Sequence, residues 1–238
     1  MRLFCFPYAG GGASIFRNWA RHLPGHVEVC PVQLPGRDQR LFEPPLTNIS
    51  AVVEALAEEL KYWRELPFAF FGYSMGALIA FELAHHFREK YQVEPVHLFV
   101  AGRPGPQIPD PNEPTYDLPE PEFIDELRRL NGTPLDVIAN KELMTLMIPL
   151  LRADFELCQT YRYSPKPPLH CSITAFGGLA DKSVSRSSLE AWQVHSTAGF
   201  AVRMLPGDHF FLHSQEKTVL EKMSQELYRI AEMLGPQN

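Results

Sequence analysis

The 238 residues are 45% apolar and 21% charged, with a formal net charge of -6. Such a chain fits one α/β domain, or a core with a small insertion, and its negative balance argues against a general nucleic-acid binder, which would carry a basic field. No apolar run approaches membrane-spanning length, and Met1 to Pro7 meets a turn too soon for a signal peptide.

The first elements alternate. Leu3 to Phe6 reads as a buried strand, followed by the flexible loop Tyr8-Ala9-Gly10-Gly11-Gly12. Ser14 is placed to cap a helix running to about Leu23, and Val27 to Val32 is the next strand, closed by Leu34-Pro35-Gly36-Arg37. Ile49, Val52, Val53, Leu56, Leu60 and Trp63 fall at a 3.6-residue period, with Thr47 or Asn48 as cap. Phe68 to Phe71 then has no polar face, as a central parallel strand between two helix layers requires. A helix is expected from Met75 to about Tyr91, with Gly76, Ala77 and Ala80 small where it passes the sheet, and a strand from Val96 to Ala101.

The alternation then breaks. The next strand, Cys171 to Phe176, begins some 70 residues later, where a crossover needs only a dozen or more. The excess reads as a proline-rich loop to Pro121 and three helices. One carries Phe123, Ile124, Leu127 and Leu130 up to Asn131-Gly132, and a short one follows Thr133-Pro134. The third runs through Leu143, Met147 and Leu151 to Tyr161, bent at Pro149. This predicts a helical cap over residues 115–163, inserted into a core of residues 1–114 and 164–238. Ordinary extra helices on the sheet are the alternative. The core resumes with a helix from Ser187 to His195, a strand from Phe200 to Leu205 and a final helix to about Met233. The fold class is α/β, a mostly parallel doubly wound sheet.

Chemistry in such sheets sits beyond the carboxyl ends of the strands. Gly72-Tyr73-Ser74-Met75-Gly76 is there, between an apolar strand and a helix, which points to Ser74 as a nucleophile on a tight turn. Asp181 and His209 follow in later strand-end loops, in the order an α/β-hydrolase needs, so His209 would take the serine proton and Asp181 would orient the imidazole. Oxyanion donors would be the backbone amides of Met75 and Ala9. The alternative for Asp181 is a helix cap before Val184; Asp208 is its rival as orienter, and His213 is the rival base. His22, His26, His85, His86 and His195 lie in or beside helices and are expected at the surface. Met144 and Met147 suit either an acyl channel or ordinary cap packing. Cys5, Cys30, Cys158 and Cys171 show no metal-type spacing and read as free thiols in a reducing compartment, the cytoplasm by default.

Together these stretches resemble the type II thioesterases, the stand-alone editing hydrolases of non-ribosomal peptide and polyketide synthases. The resemblance rests on Cys5-Phe6-Pro7-Tyr8-Ala9-Gly10-Gly11, Gln33-Leu34-Pro35-Gly36-Arg37, Phe71 to Gly76, Pro149 to Phe155, and Gly207-Asp208-His209-Phe210-Phe211. It implies an α/β-hydrolase fold lacking the two leading strands of the full sheet, with a mobile cap. It also implies Ser74, Asp181 and His209 as catalytic residues, with Ala9 and Met75 as oxyanion amides. The substrate would be an acyl or aminoacyl thioester on the phosphopantetheine arm of a carrier protein. A cap slot lined by Met144, Met147 and Leu151 would suit longer acyl chains. No metal or cofactor is implied, no nucleic acid or membrane partner, and a monomer is expected. The alternatives are a medium-chain fatty-acyl hydrolase, a small-molecule esterase or acyltransferase on the same triad, and, from another class, a non-catalytic binding module.

Overall fold

The computed structural model describes residues 1–60, 65–133 and 135–235. Six strands form one sheet: β1 (Arg2–Phe6), β2 (Glu28–Pro31), β3 (Phe68–Tyr73), β4 (His97–Ala101), β5 (Ser172–Gly178) and β6 (Phe200–Leu205). Their order is β2-β1-β3-β4-β5-β6, and every pairing is parallel. The chain therefore leaves β1 toward one edge and resumes at β3 on its other side. That reversal opens a crevice beyond the carboxyl ends of β1 and β3, the position where doubly wound sheets bind ligands.

Side chains alternate across the strands. Phe4, Phe6, Phe68 and Phe70 face one layer, packed with α1 (Ile49–Leu60) and α2 (Met75–Tyr91). Leu3, Cys5, Ala69, Phe71 and Tyr73 face the other, beneath α7 (Phe211–Leu234). All six residues of β3 are buried. Asn48 caps α1, its Oδ1 accepting the Ala51 amide at 2.9 Å. Trp63, expected to extend that helix's apolar stripe, lies outside the described residues, as does Pro134.

The expected helix from Ser14 to Leu23 is a correction. The chain makes two separate 3-10 turns, Ala13–Phe16 and Trp19–Arg21, and the first has no side-chain cap. Phe16 and Trp19, three residues apart, both bury against Phe71, with ring centroids 6.0 and 4.7 Å away. A three-residue turn brings such positions onto one side. The segment from Ser187 to His195 likewise divides into a short helix, α6 (Arg186–Glu190), and a 3-10 turn (Ala191–His195). Between β4 and β5 lie α3 (Glu120–Leu130), α4 (Leu135–Ala139) and α5 (Lys141–Gln159). Phe123, Leu127, Ile138, Met144, Ile148 and Leu151 give these helices an apolar cluster of their own. Asn131 ends α3 in the left-handed conformation, φ 56. No described helix is long and apolar enough to cross a membrane.

Two histidines expected at the surface are buried. His85 is fully enclosed against the Phe81 ring, and His195 Nε2 donates to Gln107 Oε1 at 2.6 Å. His97, at the start of β4, is buried too and bonds Thr174 on β5 at 2.9 Å. Burial pushes His85 and His97 down to about 3 and His195 down to about 4. These rings stay neutral in the fold, whereas the unfolded chain takes up their protons near the ordinary value of 6.5. Their full contribution is thus present above that value and is lost as pH falls from it toward about 3. The melting temperature should drop by several degrees between about pH 7 and pH 5, and less steeply in His97→Gln. Calorimetry at the two pH values checks this; a flat melting temperature would contradict it.

Candidate active site

The turn after β3 is the most constrained point of the chain. Ser74 has φ 52 and ψ -107, outside the regions open to ordinary residues. Its amide bonds the Ala101 carbonyl at the end of β4, 2.7 Å away, and α2 begins at the next residue. There is no room beside it. A Cβ on Gly76 would sit 2.1 Å from the Phe6 carbonyl oxygen, and one on Gly72 would sit 2.2 Å from the Gly76 carbonyl oxygen. The two glycines are therefore needed because the amino end of α2 lies directly against β1 and β3.

Ser74, Asp181 and His209, 135 residues apart at the widest, converge here. His209 Nε2 lies 3.2 Å from Ser74 Oγ, and His209 Nδ1 lies 2.8 Å from Asp181 Oδ2. The Asp181 side chain is 1% exposed and that of His209 25%. The Asp181 carboxylate serves two purposes at once. Its Oδ1 accepts the amides of Ser183 and Val184, at 2.8 and 3.1 Å, leaving Oδ2 for the imidazole. Carboxylate on Nδ1 leaves Nε2 as the acceptor for the serine hydroxyl.

The two loops that carry Asp181 and His209 are tied to one another. Leu179 and Ala180 donate to the carbonyls of Leu205 and Gly207, each at 2.8 Å. A Cβ on Gly178 would lie 2.3 Å from the Asp208 carbonyl oxygen. The Tyr73 hydroxyl donates to the His209 carbonyl, and burial holds its phenol well above the usual range, so it remains a donor. Asp208 is occupied differently: its Oδ1 accepts the Phe210 amide at 2.9 Å. His213 Nε2 is 2.9 Å from the Tyr8 hydroxyl.

Tyr8 to Gly11 crosses the crevice from β1. Gly11 donates to the Tyr8 carbonyl at 2.9 Å and Gly10 has φ 78, a type II turn with Ala9 at its second position. Among the described residues, the amides of Ala9 and Met75 donate to no protein acceptor. Leu151 covers this loop; its Cδ2 is 2.6 Å from where a Gly10 Cβ would be. Met144 is buried inside the cluster of α3 to α5, and Met147 packs half-buried on it. The α3–α4 turn leans on the histidine loop. A Cβ on Gly132 would meet the Phe210 ring at 2.4 Å, and Asn131 Nδ2 is 3.4 Å from Asp208 Oδ2. A groove of about 620 Å³, bounded by Arg88, Glu94, His170 and Met233, lies at the opposite ends of β4 and β5 and touches none of these residues.

Two polar residues beside the loop carried no expected role. Arg37 and Asp154 form a bidentate ion pair, 2.9 and 2.8 Å, with side chains 5% and 1% exposed. The signal was present in the sequence. Asp154 falls three residues after Leu151 and seven after Met147, so a lone carboxylate stands on the apolar stripe of its helix and requires a partner.

The family model described as thioesterase domain matches residues 1–227. The chain is 51% identical over 227 residues to the gramicidin S biosynthesis protein GrsT of Aneurinibacillus migulanus, covering 95% of this chain and 89% of that protein. It is 36% identical to the medium-chain S-acyl fatty acid synthase thioesterase of Rattus norvegicus, covering 89% and 81%. Among solved structures, ClbQ from the colibactin NRPS/PKS pathway superposes with a TM-score of 0.92 at 31% identity, covering 98% of this chain and 99% of that one.

Gly76→Ala should cost about 3 kcal/mol or more, because the new methyl meets backbone rather than a flexible side chain. Gly25→Ala, with nothing within 4 Å, should be nearly neutral. Urea unfolding compares the two; equal midpoints would refute the close approach of α2 to β1.

Proposed function

The chain belongs to the thioesterase family and is a hydrolase, and from that premise we propose that Ser74, His209 and Asp181 cleave acyl or aminoacyl thioesters from the phosphopantetheine arm of carrier proteins. The observation that supports these roles best is the 3.2 Å approach of His209 Nε2 to a serine hydroxyl on a strained strand-to-helix turn. The hydroxyl proton passes to Nε2 as Oγ attacks the thioester carbonyl. Asp181 holds the imidazolium that forms, through Nδ1. The unspent amides of Met75 and Ala9 receive the oxyanion, with the amino end of α2 behind Met75. The C–S bond then breaks, and the imidazolium proton goes to the departing sulfur. Water, giving a proton to Nε2, attacks the acyl-serine; the C–Oγ bond then breaks, Nε2 returns that proton to Ser74 Oγ, and the acid is released.

Residues 115–163 act in this reading as the cap over a core of residues 1–114 and 164–238. Leu151, against the oxyanion loop, and Met147 and Met144 one and two turns before it, shape the acyl end of the path. The editing role, removal of mis-primed or stalled groups, draws on the similarity to the gramicidin S biosynthesis protein GrsT and to ClbQ from the colibactin NRPS/PKS pathway. The free cysteines fit a reducing compartment, and we place the enzyme in the cytoplasm as a monomer. The rival reading is a medium-chain fatty-acyl hydrolase, favoured by the likeness to the rat enzyme.

Carrier protein loaded with acetyl, aminoacyl or octanoyl groups, followed by intact mass, distinguishes the two. Editing predicts release of the acetyl and aminoacyl groups, with Ser74→Ala inactive and Asp181→Asn slower by on the order of 10⁴ in kcat. Release of octanoyl alone would favour the rival. Cleavage of a small free thioester with no loaded carrier cleaved would end the carrier assignment.

A further inference from the structure

We propose that Arg37 and Asp154 are positioning residues that set the aim of the Ala9 amide, a role that rests on the reading of Ala9 as an oxyanion donor. Neither side chain touches the reacting atoms. They act through the turn from Tyr8 to Gly11. Types I and II of such a turn differ mainly by a flip of the central peptide, here between Ala9 and Gly10. The N–H of that peptide belongs to Gly10, and it donates to Asp154 Oδ2 at 2.7 Å. The carboxylate therefore selects the type II arrangement, and φ 78 at Gly10 records it.

Arg37 fixes the carboxylate in turn. Its Nη1 donates to the same Oδ2 at 2.9 Å and its Nη2 to Oδ1 at 2.8 Å. Nη1 also donates to the Gly11 carbonyl at 3.0 Å. One buried pair thus grips the turn at its central amide and at its last carbonyl. The Tyr8 carbonyl is meanwhile taken by the Gly11 amide. In a trans peptide the N–H points opposite to the C=O, so with the turn closed the Ala9 N–H is directed outward from it. The pair comes from two distant elements: Arg37 follows Gly36, φ 84, after β2, and Asp154 lies in α5 beyond Pro149. Burial pushes the Asp154 carboxyl upward, while Arg37 and the Gly10 amide oppose it.

A buried ion pair is weak as a source of stability, since well-packed apolar side chains of similar volume often serve as well. What apolar side chains do not replace is the acceptor for Gly10. The double variant Arg37→Met/Asp154→Leu removes that acceptor without stranding a charge, and Asp154→Asn keeps an oxygen in place while losing the bidentate fork. Each is compared with the wild type on a small acetyl thioester, with circular dichroism to verify folding. The double variant should lose about 100-fold in kcat with KM nearly unchanged, the size of one oxyanion donor. Asp154→Asn should fall between, and the pH–rate profile should keep its midpoint because the Ser74–His209 contact is untouched. A folded double variant with kcat within about threefold of wild type would overturn the proposal. So would failure of both variants to fold, because the pair would then be supporting the structure rather than aiming an amide. A wild type that does not hydrolyse the thioester would instead remove the thioesterase reading of Ser74, independently of Arg37 and Asp154.

Discussion

The contact between the amino end of α2 and the backbone of β1 is the constraint on which the site depends. With only hydrogen atoms at Gly72 and Gly76, α2 approaches until a Cβ at residue 76 would lie 2.1 Å from the Phe6 carbonyl oxygen. A strand can lead into a helix so close to its neighbour only through a sharp turn, and Ser74 bears the strain at φ 52. That conformation is unfavourable by about 1–3 kcal/mol and persists because the surroundings over-determine it. The fully buried β3 and the buried first turns of α2, Met75 to Phe81, supply those surroundings. The same approach makes Met75, directly after the serine, the first residue at the positive end of a 17-residue helix.

The rest of the site is brought to that serine by loops whose relative positions are set by backbone, not by side-chain flexibility. The Asp181 and His209 loops bond to each other, and Ser74 bonds to the end of β4. Parallel strands in register end at one level, so loops from β3, β5 and β6 meet over a single edge even though their residues are far apart in the chain. The Tyr8–Gly11 loop reaches the crevice from the other side of the reversal and is anchored to the helices above the sheet through Asp154 on α5, while the histidine loop meets them at Asn131 and Gly132. The two roles proposed here therefore fall on neighbouring turns of α5: Leu151, proposed to meet the acyl chain, covers Gly10, and Asp154, one turn later, holds its amide.

The strand and helix alternation was legible because β3 is wholly apolar and α1 and α2 carry regular stripes. Ser74, Asp181 and His209 were legible because each follows a strand end in a fixed order. Where tertiary contacts decide the outcome, residue patterns were insufficient. Phe16 and Trp19 convert an expected helix into 3-10 turns by burying against Phe71. His85 and His195 look like helix-surface residues until Phe81 and Trp192 pack around them. The Arg37–Asp154 pair spans 117 positions, so neither residue announces the other; only the misplaced charge on an apolar stripe hints at it. Met144 reads equally as channel or core, and the choice rests on how three helices fold onto one another.

Chemistry at Ser74 is the claim to which every other role is attached. Stoichiometric labelling with a fluorophosphonate, followed by peptide mass mapping, measures it most directly. One phosphonate per chain, on the peptide containing Gly72 to Gly76 and absent from Ser74→Ala, is the predicted result. No labelling, or a label on any other serine of a folded chain, would contradict it.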